Sequence, residues 1–479
     1  MSANPAAPLE APTAAALQHA PATAPSSKAA AAAQARSVRL LQGPVFATLV
    51  ALALPNVMIM LAQAAANFLE SYFVGLLGVD ALAGAALVFP LVMLMQTMSA
   101  GGIGGGISSA VARAVGAGDH AKAEALALHA LVIALVFGVL STGIVLLGGP
   151  LIYRSMGGQG PVLQAALSYS NAIFVGAAFL WLANSMASVL RGTGNMALPA
   201  TVLSLGVGLL LMGSPLLIFG MGPIPAMGIA GAGFALVLYY VVASLVLLTS
   251  LLRGSGGVRL TLKHQLRWAL FKDILGVGGP AIVNNMTLNL SVIAATVLVT
   301  PLGTEALAGF GLGIRLEYLQ IPIVFGFGAG MVAMVGMNVG AGQLVRARKV
   351  AWTGALLAAG ATELVGVTAA LFPRAWLGLF THDAAAIEVG VQYLHIVGPA
   401  YGLFGLGLSL YFASQGARRM MFTLVAGFAR LAVIYMAGNA AMHYSGDLHL
   451  LLASIVLGLV AYAALNAFPW LAKVEDRRS

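Results

Sequence analysis

The chain has 479 residues, of which 60% are hydrophobic and 8% charged, with a formal net charge of +9 and no cysteine. A soluble domain carries about 25% charged residues, so this composition excludes one, and the missing cysteine excludes disulfides, thiol catalysis and Cys-ligated metals. Apolar runs reach the roughly 20 residues needed to cross a bilayer many times over, and they are continuous rather than alternating, which excludes a β-barrel. The fold class read from this is an all-α polytopic membrane protein.

Residues 1–44 are rich in Ala, Pro and Ser and read as a disordered tail. Prolines interrupt the Ala runs there and argue against a secretory signal. Twelve spans follow, at about 45–74, 81–112, 123–148, 162–190, 197–220, 227–251, 273–300, 306–338, 348–372, 386–414, 421–440 and 449–470, with ends uncertain by about two to four residues. Pro90 with Gly101, Gly102, Gly104, Gly105 and Gly106 predicts a kink in the second span, and Pro322 with Gly326, Gly328 and Gly330 one in the eighth. Of the 23 basic residues, Arg315 and Arg430 fall inside helices and only Arg154 and Arg374 fall in one set of alternate loops. The other nineteen lie in the opposite loops and the two tails. The positive-inside rule then places both termini in the cytoplasm, in a multi-pass protein of the plasma membrane, the inner membrane if the source is bacterial.

The chain also repeats itself at an interval of 224 to 225 residues. Gly78 with Ala81-Leu82-Ala83-Gly84 recurs as Gly303 with Ala306-Leu307-Ala308-Gly309, and Val115-Gly116-Ala117-Gly118 as Val339-Gly340-Ala341-Gly342. Pro55 matches Pro280, Tyr169 matches Tyr393, and Gly192 matches Gly416. Each unit holds six spans of the same topology, related by a pseudo-two-fold axis along the membrane normal. The expected division is a first lobe over 45–252, a cytoplasmic linker over 253–272, a second lobe over 273–470 and a tail over 471–479. Two such bundles around a central cavity can rock between two open states, which points to a transporter.

Only Glu70, Glu317 and Glu363 are acids well inside spans. A charge at the bilayer centre costs about 2.5–3.5 kcal/mol on insertion scales, so such residues are paired, protonated or functional. Glu70 shares a helix face with Gln63 and Asn67 at about 100° per residue, which makes it the first candidate for ion coupling. The bland reading is a neutral, hydrogen-bonded acid that only holds helices together. Ser71, Tyr169 and Asn184 in the first half, and Asn284, Asn285 and Asn289 in the seventh span, are further candidates for a substrate or ion cavity. The seventh span has no acid in its interior, so coupling is expected mainly in the first half. Arg315, Glu317, Glu363 and Arg430 form a candidate second-lobe charge network; Arg315 and Glu317, at i and i+2, do not face each other, and Arg430 could serve Glu317 or Glu363. His129 and His395 read as structural, and Met58, Met60, Met93, Met95 and Met98 as packing rather than a ligand surface. No P-loop, metal-ligand cluster or nucleophile–base set is present, so neither an ATP-driven pump nor a membrane enzyme is expected.

Several motifs carry a family resemblance. Glu70-Ser71-Tyr72-Phe73-Val74-Gly75 ends the first span, Gly116-Ala117-Gly118 and Gly340-Ala341-Gly342 end the second and eighth, Leu190-Arg191-Gly192-Thr193-Gly194 follows the fourth, and Arg315-Leu316-Glu317 lies in the eighth. Over nearly all of 45–470 the chain resembles the multidrug and toxic compound extrusion (MATE) transporters. The resemblance implies two V-arranged lobes of six helices and export of organic, often cationic compounds against inward H⁺ or Na⁺, with no other cofactor. It implies a monomer in the lipid bilayer, acting on small molecules and not on nucleic acid. The family's first-span acid is usually Asp, and here it is Glu70. The Asn and Asp that many relatives carry in the fifth span are replaced by Leu210 and Ser214. That loss leaves open an uncoupled or specialised metabolite transporter, and a lipid-linked precursor flippase is a further reading within the same superfamily.

Overall fold

A computed structural model describes residues 28–254 and 256–471. The first lobe contains α2 (Val45–Gly75), α3 (Val79–Gln96) continued by a π-helical turn (Thr97–Ile103) and α4 (Gly104–Gly116), α5 (His120–Ser155), α6 (Gly160–Val175), α7 (Ala177–Gly192), α8 (Ala197–Phe219) and α9 (Ile229–Leu252). The second contains α10 (Trp268–Val299), α11 (Thr304–Gly340), α12 (Leu344–Leu371), the short α13 (Pro373–Leu377), α14 (Ala384–Val397), α15 (Tyr401–Gly416), α16 (Met421–Tyr444) and α17 (Leu448–Leu471). Among the described residues, eleven continuous segments are long and apolar enough to cross a membrane, and α6 with α7, bent by 48°, makes a twelfth when counted as one span. The all-α, two-lobed reading is borne out.

The breaks have local causes. Gly176 leaves helical geometry between α6 and α7, where a β-carbon would strike Val237. One repeat later, Gly398-Pro399-Ala400 forms a 3₁₀ turn between α14 and α15, as expected where proline removes a backbone donor. The predicted kink in the second span is the π turn, a local widening typical of functional sites. The Asn184 amide donates to Ser99 Oγ at 2.8 Å inside it. The eighth span, by contrast, runs as one helix through Pro322. The Gly-Ala-Gly motifs end α4 and α11, with Gly118 at φ 73° and Gly342 at φ 74°, left-handed turns that glycine adopts without steric cost. Asp119 caps α5 by accepting from the Lys122 N–H at 2.9 Å.

The expected disorder of residues 1–44 is corrected over its second half, since Lys28–Gln42 forms helix α1. Residues 31–42 contain no proline, and Leu40 is fully buried. Asn338 Nδ2 donates to the Leu40 carbonyl at 3.2 Å, and Arg346 Nη2 to that of Gly43 at 2.5 Å. Residues 1–27 of that tail and 472–479 of the other lie outside the described residues. The seventh span starts at Trp268, five residues before the expected 273. The linker ahead of it docks on α5, with the Arg267 N–H donating to His129 Nε2 at 2.8 Å.

The two lobes join at the end of the molecule that carries the basic loops and diverge from there as a V. The seam is glycine-lined. A β-carbon on Gly116 would overlap the Met337 carbonyl, and one on Gly340 the Arg113 carbonyl. The same 224-residue interval relates Gly116 to Gly340 and Arg113 to Met337, so α4 and α11 cross on the pseudo-two-fold axis. Away from the seam, α3 packs on α6 and α2, within its own lobe.

Candidate functional site

Helix α2 supplies one wall of a cavity of about 370 Å³ within the first lobe. Asn67, Glu70, Ser71 and Val74 come from α2, Phe89, Met93 and Gln96 from α3, Tyr169 from α6 and Leu236 from α9. Asn67 and Ser71 are exposed, whereas Glu70 is buried with 8% of its surface accessible. Glu70 Oε1 is sealed from solvent and has no hydrogen-bond donor among the described residues. A buried polar atom without a partner is strongly disfavoured. A carboxylate in that position is placed to meet a proton or a cation entering the cavity, and the apolar wall of Phe89, Met93 and Leu236 beside it suits an organic ligand of drug size.

The structure brings together Asn67, Glu70, Ser71 and Tyr169 of the sequence candidates. Gln63 lies two turns earlier on α2, half-buried and outside the cavity lining. Asn184 is buried against the π turn instead. The seventh-span asparagines lie in the other lobe. Asn284 Nδ2 faces the Tyr462 hydroxyl at 3.5 Å, Asn289 donates to the Asn285 carbonyl at 2.9 Å, and Asn285 Nδ2 approaches Gly101 at the seam. Leu210 and Ser214 of α8 are both buried. Sequence reasoning missed Gln96 and read Met93 as packing. Their signal was the spacing of Phe89, Met93 and Gln96, which puts them on one face of α3.

The second lobe handles its acids differently. Glu317 Oε1 accepts from Arg430 Nη2 at 2.7 Å, with both side chains almost fully buried. The guanidinium lies 5.6 Å from the Phe404 ring centre and 6.0 Å from that of Tyr462. Arg430 thus pairs with Glu317 and not with Glu363, whose carboxylate accepts from the Gly402 N–H at 2.6 Å. Arg315 is exposed, over the Phe380 ring at 5.5 Å. Among the described residues no group of three or more His, Asp or Glu is placed to hold a metal.

The MatE family model matches residues 55–216 and 280–440, two blocks that fall one in each repeat and together exceed half the chain. The chain belongs to the MatE family. It is a multi-pass membrane protein of a family of multidrug efflux transporters. Among curated proteins, this MatE chain is 26% identical over 88% of its length to a "FAD transporter" of Shewanella oneidensis, covering 95% of that protein. It is 27% identical over 78% of its length to the "probable multidrug resistance protein NorM" of Thermotoga maritima, covering 79% of it. The "multidrug export protein MepA" of Staphylococcus aureus is 23% identical over 88% of this chain and 93% of its own. Two solved transporters superpose with a TM-score of 0.82 at 26% identity, over 91% of this chain and 97% of theirs. One is a MOP-superfamily transporter from Pyrococcus furiosus reported to have a binding pocket of reverse polarity, and the other a multidrug resistance MATE transporter in an outward-facing conformation.

Proposed function

We propose that this MatE protein is a secondary antiporter that exports organic, cationic or amphipathic compounds in exchange for H⁺ or Na⁺, with Glu70 as the coupling group. The observation that carries the reading is the unpartnered, buried Oε1 of Glu70 beside a drug-sized cavity. Glu70 takes up the ion when the cavity faces away from the basic end. Neutralisation loosens the hold on a bound cation and repacks α2 near Pro55, which lies inside that helix. Return to the basic end then collects the next substrate. Both termini are cytoplasmic on this reading, and one chain suffices for transport, since the cavity is built within one lobe.

A specialised metabolite exporter is the second reading, favoured by the relative named as an FAD transporter. The deciding experiment is uptake by proteoliposomes under a pH gradient or a Na⁺ gradient, with a fluorescent cationic dye and FAD offered separately. Parent protein and Glu70→Gln are compared. Dye transport driven by one gradient and lost in Glu70→Gln is the expected result. Gradient-driven dye export by Glu70→Gln at the parent rate would overturn the role of Glu70. Transport of FAD alone would replace the drug-export reading by the metabolite one.

A further inference from the structure

Asp273 was not among the acids that sequence reasoning singled out, because it sits at the mouth of the seventh span. In the structure it is buried at the basic end of the seam, where three cations from both lobes converge on it. Arg113 Nη2 of α4 donates to Asp273 Oδ1 at 2.8 Å. Arg418 Nη1, just after α15, approaches the same oxygen at 3.1 Å. Lys122 Nζ of α5 lies 3.8 Å from Oδ2. Arg113 also donates to Ser109 Oγ and, at 3.3 Å, to the Gly416 carbonyl. Ser109 Oγ in turn donates to the Gln415 carbonyl at 2.5 Å, and Gln415 Nε2 donates to the Gly101 carbonyl at 3.1 Å. One carboxylate thus bridges three cations that would otherwise repel one another across the seam.

Two further features mark the cluster as more than packing. Arg418 has φ 58° and is the only non-glycine residue with positive φ among the described residues. Its counterpart one repeat earlier is Gly194, at φ 78°, the residue type that this backbone conformation favours. The chain therefore keeps an arginine where a glycine would relax the turn, and the side chain it gains points at Asp273. The counterpart of Asp273 across the pseudo-two-fold is Thr48, so the cluster has no twin.

We propose that Asp273 is a positioning residue of the transport cycle: with Arg113, Lys122 and Arg418 it latches the two lobes shut at the basic end and sets the population of the state open there. The latch rests on the rocking of lobes in the function proposed above. Opening toward the basic end must separate Asp273 from Arg113 and Lys122. Neutralising the acid leaves three cations facing one another across the seam, so the latch becomes a repulsion.

The test uses the full chain, which has no native cysteine. Spin labels at Ala117→Cys in the first lobe and Met421→Cys in the second report the separation at the basic end by pulsed EPR in lipid nanodiscs. Asp273→Asn is expected to raise the ratio of long to short distances about tenfold, and Asp273→Glu to restore the parent distribution. Arg418→Gly, which relieves the strained turn and removes a cation of Asp273's own lobe that faces Arg113, is expected to melt no lower than the parent and to leave the ratio at or below the parent's. An unchanged distribution in Asp273→Asn, or a shift to long distances in a well-folded Arg418→Gly, would overturn the latch. A parent that shows a single short distance with every ion and substrate, beside an Asp273→Asn that lengthens, would support the latch while counting against the rocking reading.

Discussion

The Glu317–Arg430 pair offers a quantitative test of what holds the second lobe together. The pair is contacted from four helices: α11 supplies the acid, α16 the base, and α15 and α17 the rings of Phe404 and Tyr462. At 2% and 8% side-chain exposure, neither charge can recover hydration without opening the bundle. Removing one partner of such a pair costs about 3–5 kcal/mol, while replacing both by apolar groups is near neutral. The two rings offset part of the penalty for a lone guanidinium, by about 2 kcal/mol when desolvated. Glu317→Leu is therefore expected near 3 kcal/mol, and Arg430→Leu, which strands a carboxylate with no such rings to meet it, near 5 kcal/mol. The double variant should fall within about 2 kcal/mol of the parent. Equilibrium unfolding of detergent-solubilised protein in SDS mixed micelles, followed by tryptophan fluorescence, reads all four. Single variants within about 1 kcal/mol of the parent would refute the reasoning, because the pair would then be exchanging with water.

Three further outcomes are expected. Gly116→Val places a side chain against the Met337 backbone where α4 crosses α11, so the lobes cannot close at the basic end; the accessibility of a single cysteine introduced at Ala112 on the seam should rise, and an unchanged value would show that the crossing has slack. Leu40→Ala removes the fully buried anchor of α1, at a cost of about 2–5 kcal/mol to the docking of that helix; limited proteolysis should then cut within 28–42, where the parent resists. Asn184→Ala removes the donor to Ser99 Oγ inside the π turn, leaving that hydroxyl only its bond to the Gln96 carbonyl; the loss of about 1 kcal/mol should be visible in thermal melting, with faster amide exchange confined to 97–103.

Much of the architecture was legible because its signals are local or repeated. Apolar runs of span length fix the helices, and the Gly-Ala-Gly turns announce both helix ends and the repeat, since each places one glycine in left-handed geometry. The face of Asn67 and Glu70 was legible because helical period alone puts those residues side by side. What was not legible depends on residues far apart in the chain. Asp273 meets Arg113 at a separation of 160 residues, and no periodicity in either helix foretells it. Gln96 was missed because most of its polar neighbours in the cavity come from other helices. Helix α1 was hidden for a different reason. Averaging composition over residues 1–44 let the prolines of the first 25 residues mask an alanine-rich stretch of high helix propensity behind them.

The two lobes place their acids at inequivalent positions, and this inequality bears on where an ion can act. At the 225-residue interval, Glu70 corresponds to the buried Ala295 of the second lobe, and Glu317 falls opposite Val92 of the first. The Glu317 carboxylate of the second lobe already holds Arg430 at 2.7 Å, so a transported cation would have to displace a buried guanidinium there. The carboxylate of the first lobe has an oxygen with no partner to displace. On the antiport proposed above, an ion that must bind and leave once per cycle would therefore find its site in the first lobe. The consequence separates coupling from stability: the double variant Glu317→Leu/Arg430→Leu should keep gradient-driven dye transport within a factor of about three of the parent, an effect of under 1 kcal/mol, whereas Glu70→Gln, with both second-lobe charges intact, should lose it. Loss of coupling in a stable double variant would move the ion site to the second lobe and leave Glu70 a structural acid.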